Sequence, residues 1–560
     1  MEQDKNNVVS TSHQQLMDLV RASLARSMGF KREDLRKPFI AVLHSWNEVS
    51  PGQYHLREVA QEIKASVKAA GGTPAEIIVP GVCGSMSGGG SEAFKYNVAY
   101  RDFGAAVVET MLRLNRCDGA ILVGTCDHVI PALLIGAAWA NIPTIILTGG
   151  YMPPGTYDNR PFTMFDIPKQ YGRLKSGEIT EGDLQEMVAC ACPGPGACPE
   201  LGTAHTMATI AESLGMSLPG NTATMATSDF IIELGRLAGR KIMELVAKDI
   251  KPTDIMTRDA FENAMRVVLA CGASPNALVH LSALMRAVDI YDLGWDRWDE
   301  LSRITPLICK ILPNHPHYNM SDLERAGKIK GVMKEMLPLL HGHCLTVTGE
   351  SIAANLEAAE GSLDHNVVRP LTAPFAPDGG LVILKGSLAP EGAIVKKSAV
   401  PANMWRFTGR AKVFDSEEAA MDWLLVSDVP PNTMLVVRNE GPRGCPGGRK
   451  VYLPLHVIVG RGLIESVGLL TDGAFSGGNL GLGIGYVSPE AAAGGPLAVV
   501  VDGDEIEVDI ENRRLELCIS NAELEHRLQN WRPPVRKNHK GVLGLFNERA
   551  ESYPKGAYVF

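Results

Sequence analysis

The strongest constraint on this chain is an alternation of short apolar runs with helical patterns, sustained to about residue 370. Residues 38–43, 75–79, 119–123 and 144–147 are compact runs rich in Ile, Leu, Val and Ala, the signature of strands buried on both faces. Between them, residues 56–70, 100–114 and 131–140 carry apolar side chains at helical spacing. Strand–helix alternation of this kind predicts a parallel sheet with helices on both faces. Ligands of such sheets bind beyond the carboxyl ends of the strands, where the loop holding Cys126 and Asp127 falls.

Residues 150–181, rich in Pro, Gly and Tyr, read as an excursion from the sheet. Helical patterns follow over 203–214, 228–246 and 260–288. The chain changes character at Leu371-Thr-Ala-Pro-Phe-Ala-Pro-Asp-Gly-Gly380; beyond it come short strands at 381–384, 434–437 and 497–501, with tight turns. This spacing favours a smaller β-rich barrel or swivel-type domain. The expected organisation is therefore α/β: a large N-terminal parallel-sheet domain over 1–371 and a C-terminal β-barrel-like domain over 372–560.

A formal net charge of −9 argues against nucleic acid or an anionic membrane as the main partner. The polar start has no signal-peptide layout, and no run of about 18 apolar residues occurs, so a cytoplasmic protein is expected. The 11 cysteines leave one over from any full pairing, and in a reducing compartment they are free thiols or metal ligands. Cys117, Cys271, Cys309, Cys344 and Cys518 fit inert core positions. Cys126 and Cys198 instead lie in loops after apolar segments, where a ligand role competes with packing. A thiolate suits iron or zinc and a carboxylate suits magnesium or manganese, so the adjacent Cys126-Asp127 suggests two metals meeting one small substrate.

The C-terminal half supplies the most specific strings. Asp378-Gly-Gly-Leu, Glu440-Gly-Pro-Arg-Gly-Cys-Pro-Gly447, Thr471-Asp-Gly-Ala-Phe-Ser-Gly-Gly478 and Val487-Ser-Pro-Glu-Ala-Ala492 occur in that order. Together with Cys126-Asp127, Cys198 and Ser217-Leu-Pro-Gly-Asn221, they closely resemble the dihydroxy-acid dehydratase / phosphogluconate dehydratase family, which includes sugar-acid dehydratases. The resemblance covers nearly the whole chain. It implies a hydro-lyase that converts a 2,3-dihydroxy acid to a 2-keto acid, using an iron–sulfur cluster, [4Fe–4S] or [2Fe–2S], and a divalent cation, magnesium or manganese. It also implies a homodimer or a dimer of dimers. The alternative is a repurposed, non-catalytic relative that binds a small hydroxy acid.

By the resemblance, Cys126 and Cys198 match cluster ligands, Asp127 and Glu440 match carboxylates of the divalent metal, and Ser476 matches the catalytic base. Ser274, Asn276 and Gly477 are assigned to the substrate. Three departures mark an atypical member. Gly52 stands where members with a three-cysteine site have a cysteine, which leaves Cys83 as a candidate third thiolate. His128 replaces a lysine that the family carbamylates into a metal ligand; imidazole forms no carbamate, and metal ligand, substrate contact and spacer all remain open for it. The usual metal-binding aspartate near residues 83–85 has no clear equivalent, so Glu92 is the nearest compensating carboxylate, and Gly88-Gly-Gly90 could instead cradle an anion with backbone N–H groups. Tyr486 stands where histidine is common. The branch, branched-chain or sugar-acid, stays open.

Overall fold

The computed structural model describes residues 11–86, 92–175, 177–534 and 539–560. Strands β1 (Phe39–His44), β2 (Thr73–Ile78), β3 (Gly119–Gly124) and β4 (Thr144–Thr148) form a parallel sheet in the order β2-β1-β3-β4. The central strand β3 is buried along its whole length, as a continuous apolar run demands. Helices Leu56–Ala69 and Asp229–Lys248 pack on one another against the sheet, and the almost wholly buried helix Val129–Ala140 packs on Tyr96–Leu114. The excursion after β4 contains the hairpin of β5 (Gly155–Tyr157) and β6 (Arg160–Phe162).

The C-terminal strands are β7 (Val382–Gly386), β8 (Ala389–Val395), β9 (Arg406–Phe414), β10 (Thr433–Val437), β11 (Val467–Thr471), β12 (Gly483–Ser488), β13 (Glu505–Asp509) and β14 (Arg514–Leu517). They close into a barrel in the order β10-β11-β12-β8-β7-β14-β13-β9. Closure leaves no open sheet edge, and inward residues such as Leu384, Val395, Val436, Leu470 and Ile484 fill the interior. The pairs β9–β10, β10–β11 and β11–β12 are parallel. The loops after β10 and β11 therefore leave the barrel on the same side, carrying Glu440 and Ser476 together toward the sheet's loops.

Three expectations need correction. Residues 497–501 are not a strand: Pro496–Val499 is a 3-10 turn, because Pro496 follows two glycines and has no N–H for a ladder. The helical pattern of 260–288 is two helices, Arg258–Ala270 and Asn276–Ala287, parted where Gly272 takes a φ of 52° just ahead of Pro275. Cys518 is exposed rather than a core residue. The chain's last segment leaves the barrel and returns to the N-terminal region. There Arg101 donates to the Ala557 carbonyl (3.2 Å) and Asp102 accepts from the Val559 N–H (2.9 Å). Leu543, Phe546, Ala550 and Val559 bury against Ala99 at the same place.

Arg101 is fully buried and pairs with Asp102 at 2.7 Å. Replacing it with Ala strands a buried carboxylate and frees the returning tail, so Arg101→Ala should cost about 3–5 kcal/mol. The shift of the denaturant midpoint measures it; an unchanged midpoint would show that this junction bears no weight.

Candidate active site

The sheet's loops and the barrel's loops meet in one crevice. Cys126 follows β3 with a φ of 77°, a left-handed conformation that a non-glycine residue holds only when its surroundings enforce it. Gly52, on the loop after β1, presses against it: a Cβ there would lie 2.5 Å from the Cys126 Sγ. Position 52 is therefore adjacent to this thiol, and glycine leaves the space to Cys126. Cys83, after β2, faces the same thiol. Hydrogen bonding with Cys126, working against burial, brings Cys83 down to about 7. The same interaction, together with burial, pushes Cys126 well above its ordinary value. Cys198 is raised by burial first, and then by Glu200, Cys83 and Asp127. Its thiol also lies 3.7 Å from the Met164 sulfur.

Three thiols from three loops thus sense one another in a buried pocket. Among the described residues, no three His, Cys, Asp or Glu side chains converge as a ligand set for a single ion. A cluster needs less convergence, because it offers separate irons to separate thiolates. Cys83, Cys126 and Cys198 fit such a group.

The residues assigned to a hard divalent ion are placed differently. The Asp127 carboxylate accepts from the ammonium of Lys450, a buried side chain on the loop after β10. Glu440 lies on that loop too, but its Oε1 accepts from the Glu417 N–H (2.9 Å) and sits 3.8 Å from Arg449. Burial pushes Glu440 up to about 7. Glu92 pairs with Lys95 at 2.9 Å. Gly88-Gly-Gly90 lies outside the described residues.

His128 begins the helix Val129–Ala140 and is buried, edge-on to His280 with ring centroids 5.1 Å apart. Among the described residues, neither ring nitrogen has a hydrogen-bond partner. Burial, then Lys450, His280 and Arg101, hold it well below the usual histidine range, so it is neutral. Like charges at 4 Å repel by about 4 kcal/mol at an effective dielectric of 20, so a divalent cation here would meet substantial opposition. The residues around Asp127 do not fit a hard divalent ion.

Ser476 sits on the loop after β11, partly exposed, and its Oγ accepts from the Gly478 N–H at 3.3 Å. Its neighbours are locked. Asn276 donates to the Phe475 carbonyl and to the Thr203 Oγ1, both at 2.8 Å, while its Oδ1 accepts from the Tyr486 hydroxyl at 2.8 Å. That hydroxyl also accepts from the Phe475 N–H at 3.1 Å. Asn276 is thus occupied as a strut between the two domains. Ser274 is buried and its Oγ hydrogen-bonds Thr203 at 2.8 Å. Gly477 runs so close that a Cβ there would lie 2.9 Å from both the Ser274 Cβ and the Gly202 Cα.

Sequence reasoning missed Lys450, Glu200 and Lys396. Lys396 donates to the Gly477 carbonyl at 2.8 Å, and a Cβ on Gly478 would lie 3.2 Å from the Glu200 carboxylate oxygens. Burial raises Glu200 to about 8 and lowers Lys396 to about 7, against their mutual attraction. Glu200 in Cys198-Pro-Glu200 stood beside a motif cysteine, which was the only local signal.

Comparison with known proteins agrees with this architecture. Residues 37–355 match the dihydroxy-acid/6-phosphogluconate dehydratase N-terminal family, and residues 366–557 match its C-terminal counterpart. The chain is 42% identical over 539 residues to a dihydroxy-acid dehydratase of Caldicellulosiruptor saccharolyticus, covering 96% of this chain and 97% of the relative. It is 42% identical to one of Ignicoccus hospitalis over 95% and 96% of the two chains. With one of Methanosphaera stadtmanae it shares 39% identity over 99% of both. The chain belongs to the dihydroxy-acid/6-phosphogluconate dehydratase family. It is an enzyme of the hydro-lyase class acting on a small molecule.

The geometry makes two checks possible. Tyr486→Phe leaves Asn276 and the Phe475 N–H short of a partner, which should cost about 1–3 kcal/mol and slow turnover more than it raises KM. Calorimetry and steady-state kinetics read both, and an unchanged kcat would remove Tyr486 from the support of the Ser476 loop. In iron-free protein, Cys83 should be the first of the three site thiols to be alkylated, its rate rising through a pH of about 7 as the thiolate forms. Mass mapping that finds Cys126 or Cys198 reacting first would contradict the assignment.

Proposed function

We propose that the enzyme removes water from a 2,3-dihydroxy carboxylic acid held between the sheet's loops and the barrel's loops, with Ser476 as the base. The carrying observation is the convergence of the Ser476 loop with the Cys83, Cys126 and Cys198 pocket through Glu200. Glu200 lies against Gly478 on one side and is felt by Cys198 on the other. An iron–sulfur cluster on Cys83, Cys126 and Cys198 would supply a Lewis-acidic iron to draw off the 3-hydroxyl.

The remaining work falls to the chain. Ser476 acts as its alkoxide, the hydroxyl proton having been released to solvent, and the Gly478 N–H directed at Oγ stabilises that charge; Oγ then takes the C2 proton and passes it to the departing 3-hydroxide, which leaves as water. Asn276, Tyr486 and Lys396 hold the backbone on both sides of Ser476, so the oxygen meets the substrate without first being ordered. Loss of the C2 proton and the 3-hydroxyl as water leaves an enol, which tautomerises to the 2-keto acid. The dimeric or tetrameric assembly implied by the family belongs to the same proposal. It is supported by the exposed apolar residues Leu16, Leu19, Val20 and Leu24 on the helix Thr11–Ser27.

Ser476→Ala should abolish keto-acid formation while leaving iron, sulfide and the cluster's visible absorbance unchanged. Cys198→Ser should lose iron. Near-normal turnover in Ser476→Ala would refute the base, and wild-type protein purified without oxygen but free of iron after reconstitution would refute the cluster.

A further inference from the structure

We propose that the Lys450 ammonium takes the place of a divalent cation in this crevice, neutralising Asp127 and binding the carboxylate of the hydroxy-acid substrate. The inference deepens the dehydratase reading and rests on it for the identity of the ligand. Lys450 belongs to the barrel and Asp127 to the sheet, so their ion pair spans the crevice at its ligand-binding end. The Lys450 side chain is only 5% exposed, while that of Asp127 is 32% exposed and opens toward the crevice. An ammonium has three N–H donors. One is used by Asp127, and among the described residues no other acceptor takes the rest, which leaves them to an anionic oxygen arriving beside that carboxylate.

The surroundings leave no unpaired negative charge beside the ammonium. His128 is kept neutral by burial first and then by Lys450, His280 and Arg101, the last itself paired with Asp102. The unpartnered nitrogens of His128, a side chain almost wholly buried at the same spot, mark polar capacity that no protein group satisfies. An ion entering here would have to displace the ammonium from Asp127. It would then find, among the described residues, no set of three His, Cys, Asp or Glu side chains to hold it, since Glu440 accepts from the Glu417 N–H beside Arg449 and Glu92 pairs with Lys95. An anionic carboxylate meets the opposite situation, with a resident ammonium that can donate to it at contact. Charge that a metal-using site imports with each ion is here covalently attached to the chain.

The test titrates iron-loaded protein with Mn2+, following bound ion by its paramagnetic resonance and the cluster by its absorbance. Wild type should show no saturable uptake at millimolar Mn2+, and exhaustive dialysis should leave its turnover unchanged. Lys450→Glu removes the ammonium and places a second carboxylate beside Asp127, so it should take up one Mn2+ per chain. Lys450→Met should raise KM for the hydroxy acid at least tenfold with a smaller change in kcat. One Mn2+ per wild-type chain, lost in Asp127→Asn, would overturn the proposal. So would a folded Lys450→Glu protein that still takes up no ion. Protein that carries its cluster but dehydrates no dihydroxy acid would sink the dehydratase reading alone, because ion uptake reports the site without turnover.

Discussion

The ion pair between Asp127 and Lys450 is the contact on which the rest of the site depends. It joins the carboxyl end of the sheet to the barrel at the point where both present their loops. Removing two charges from water is costly unless each is met by the other and by further hydrogen bonds. Here the cost is offset at a boundary that must stay closed for the Ser476 loop to face the thiol pocket. The neighbouring struts follow the same logic. Asn276 and Tyr486 satisfy one another and the backbone of Phe475, which fixes Ser476 from a helix that begins in the other domain.

The site divides chemically into two halves. On one side, Cys83, Cys126 and Cys198 gather soft donors whose deprotonation is tuned by mutual contact and burial. On the other, the Lys450 ammonium pairs with Asp127 beside a neutral, buried His128. Between them stand Glu200 and Lys396, both buried and both shifted toward their neutral forms, at the backbone that carries Ser476. A dehydration needs a place for the leaving hydroxyl, a base at C2 and charge to hold the carboxylate, and each half meets one end of that requirement.

Much of the fold could be read from the chain because its core strands are apolar throughout. β1, β3 and β4 stood out as short Ile, Leu and Val runs, and the structure buries nearly all of each. The barrel's presence followed from strand spacing, whereas the closure order did not, since register across parallel neighbours depends on distant partners. The break at Gly272–Pro275 was hidden by apolar spacing that continues through it. Cys126, Cys198 and Ser476 were visible as motif residues, and Cys83 only as a candidate thiolate at a departure from the motif. Lys450 was not: it lies 323 positions from Asp127, and a lysine in a Gly-rich loop resembles any solvated charge. Glu440 was singled out by its match to the family's motif, and its neighbours in the structure are Glu417 and Arg449.

The most direct measurement is a crystal structure of the iron-loaded enzyme, with Ser476 replaced by Ala, soaked with a 2,3-dihydroxy carboxylate in the presence of Mn2+ and recorded at the manganese absorption edge. The ligand carboxylate should lie within hydrogen-bonding distance of Lys450 Nζ, with the 3-hydroxyl directed toward the Cys83, Cys126 and Cys198 pocket and no manganese signal beside Asp127. A manganese peak bridging Asp127 and the ligand, with Lys450 swung away, would contradict it.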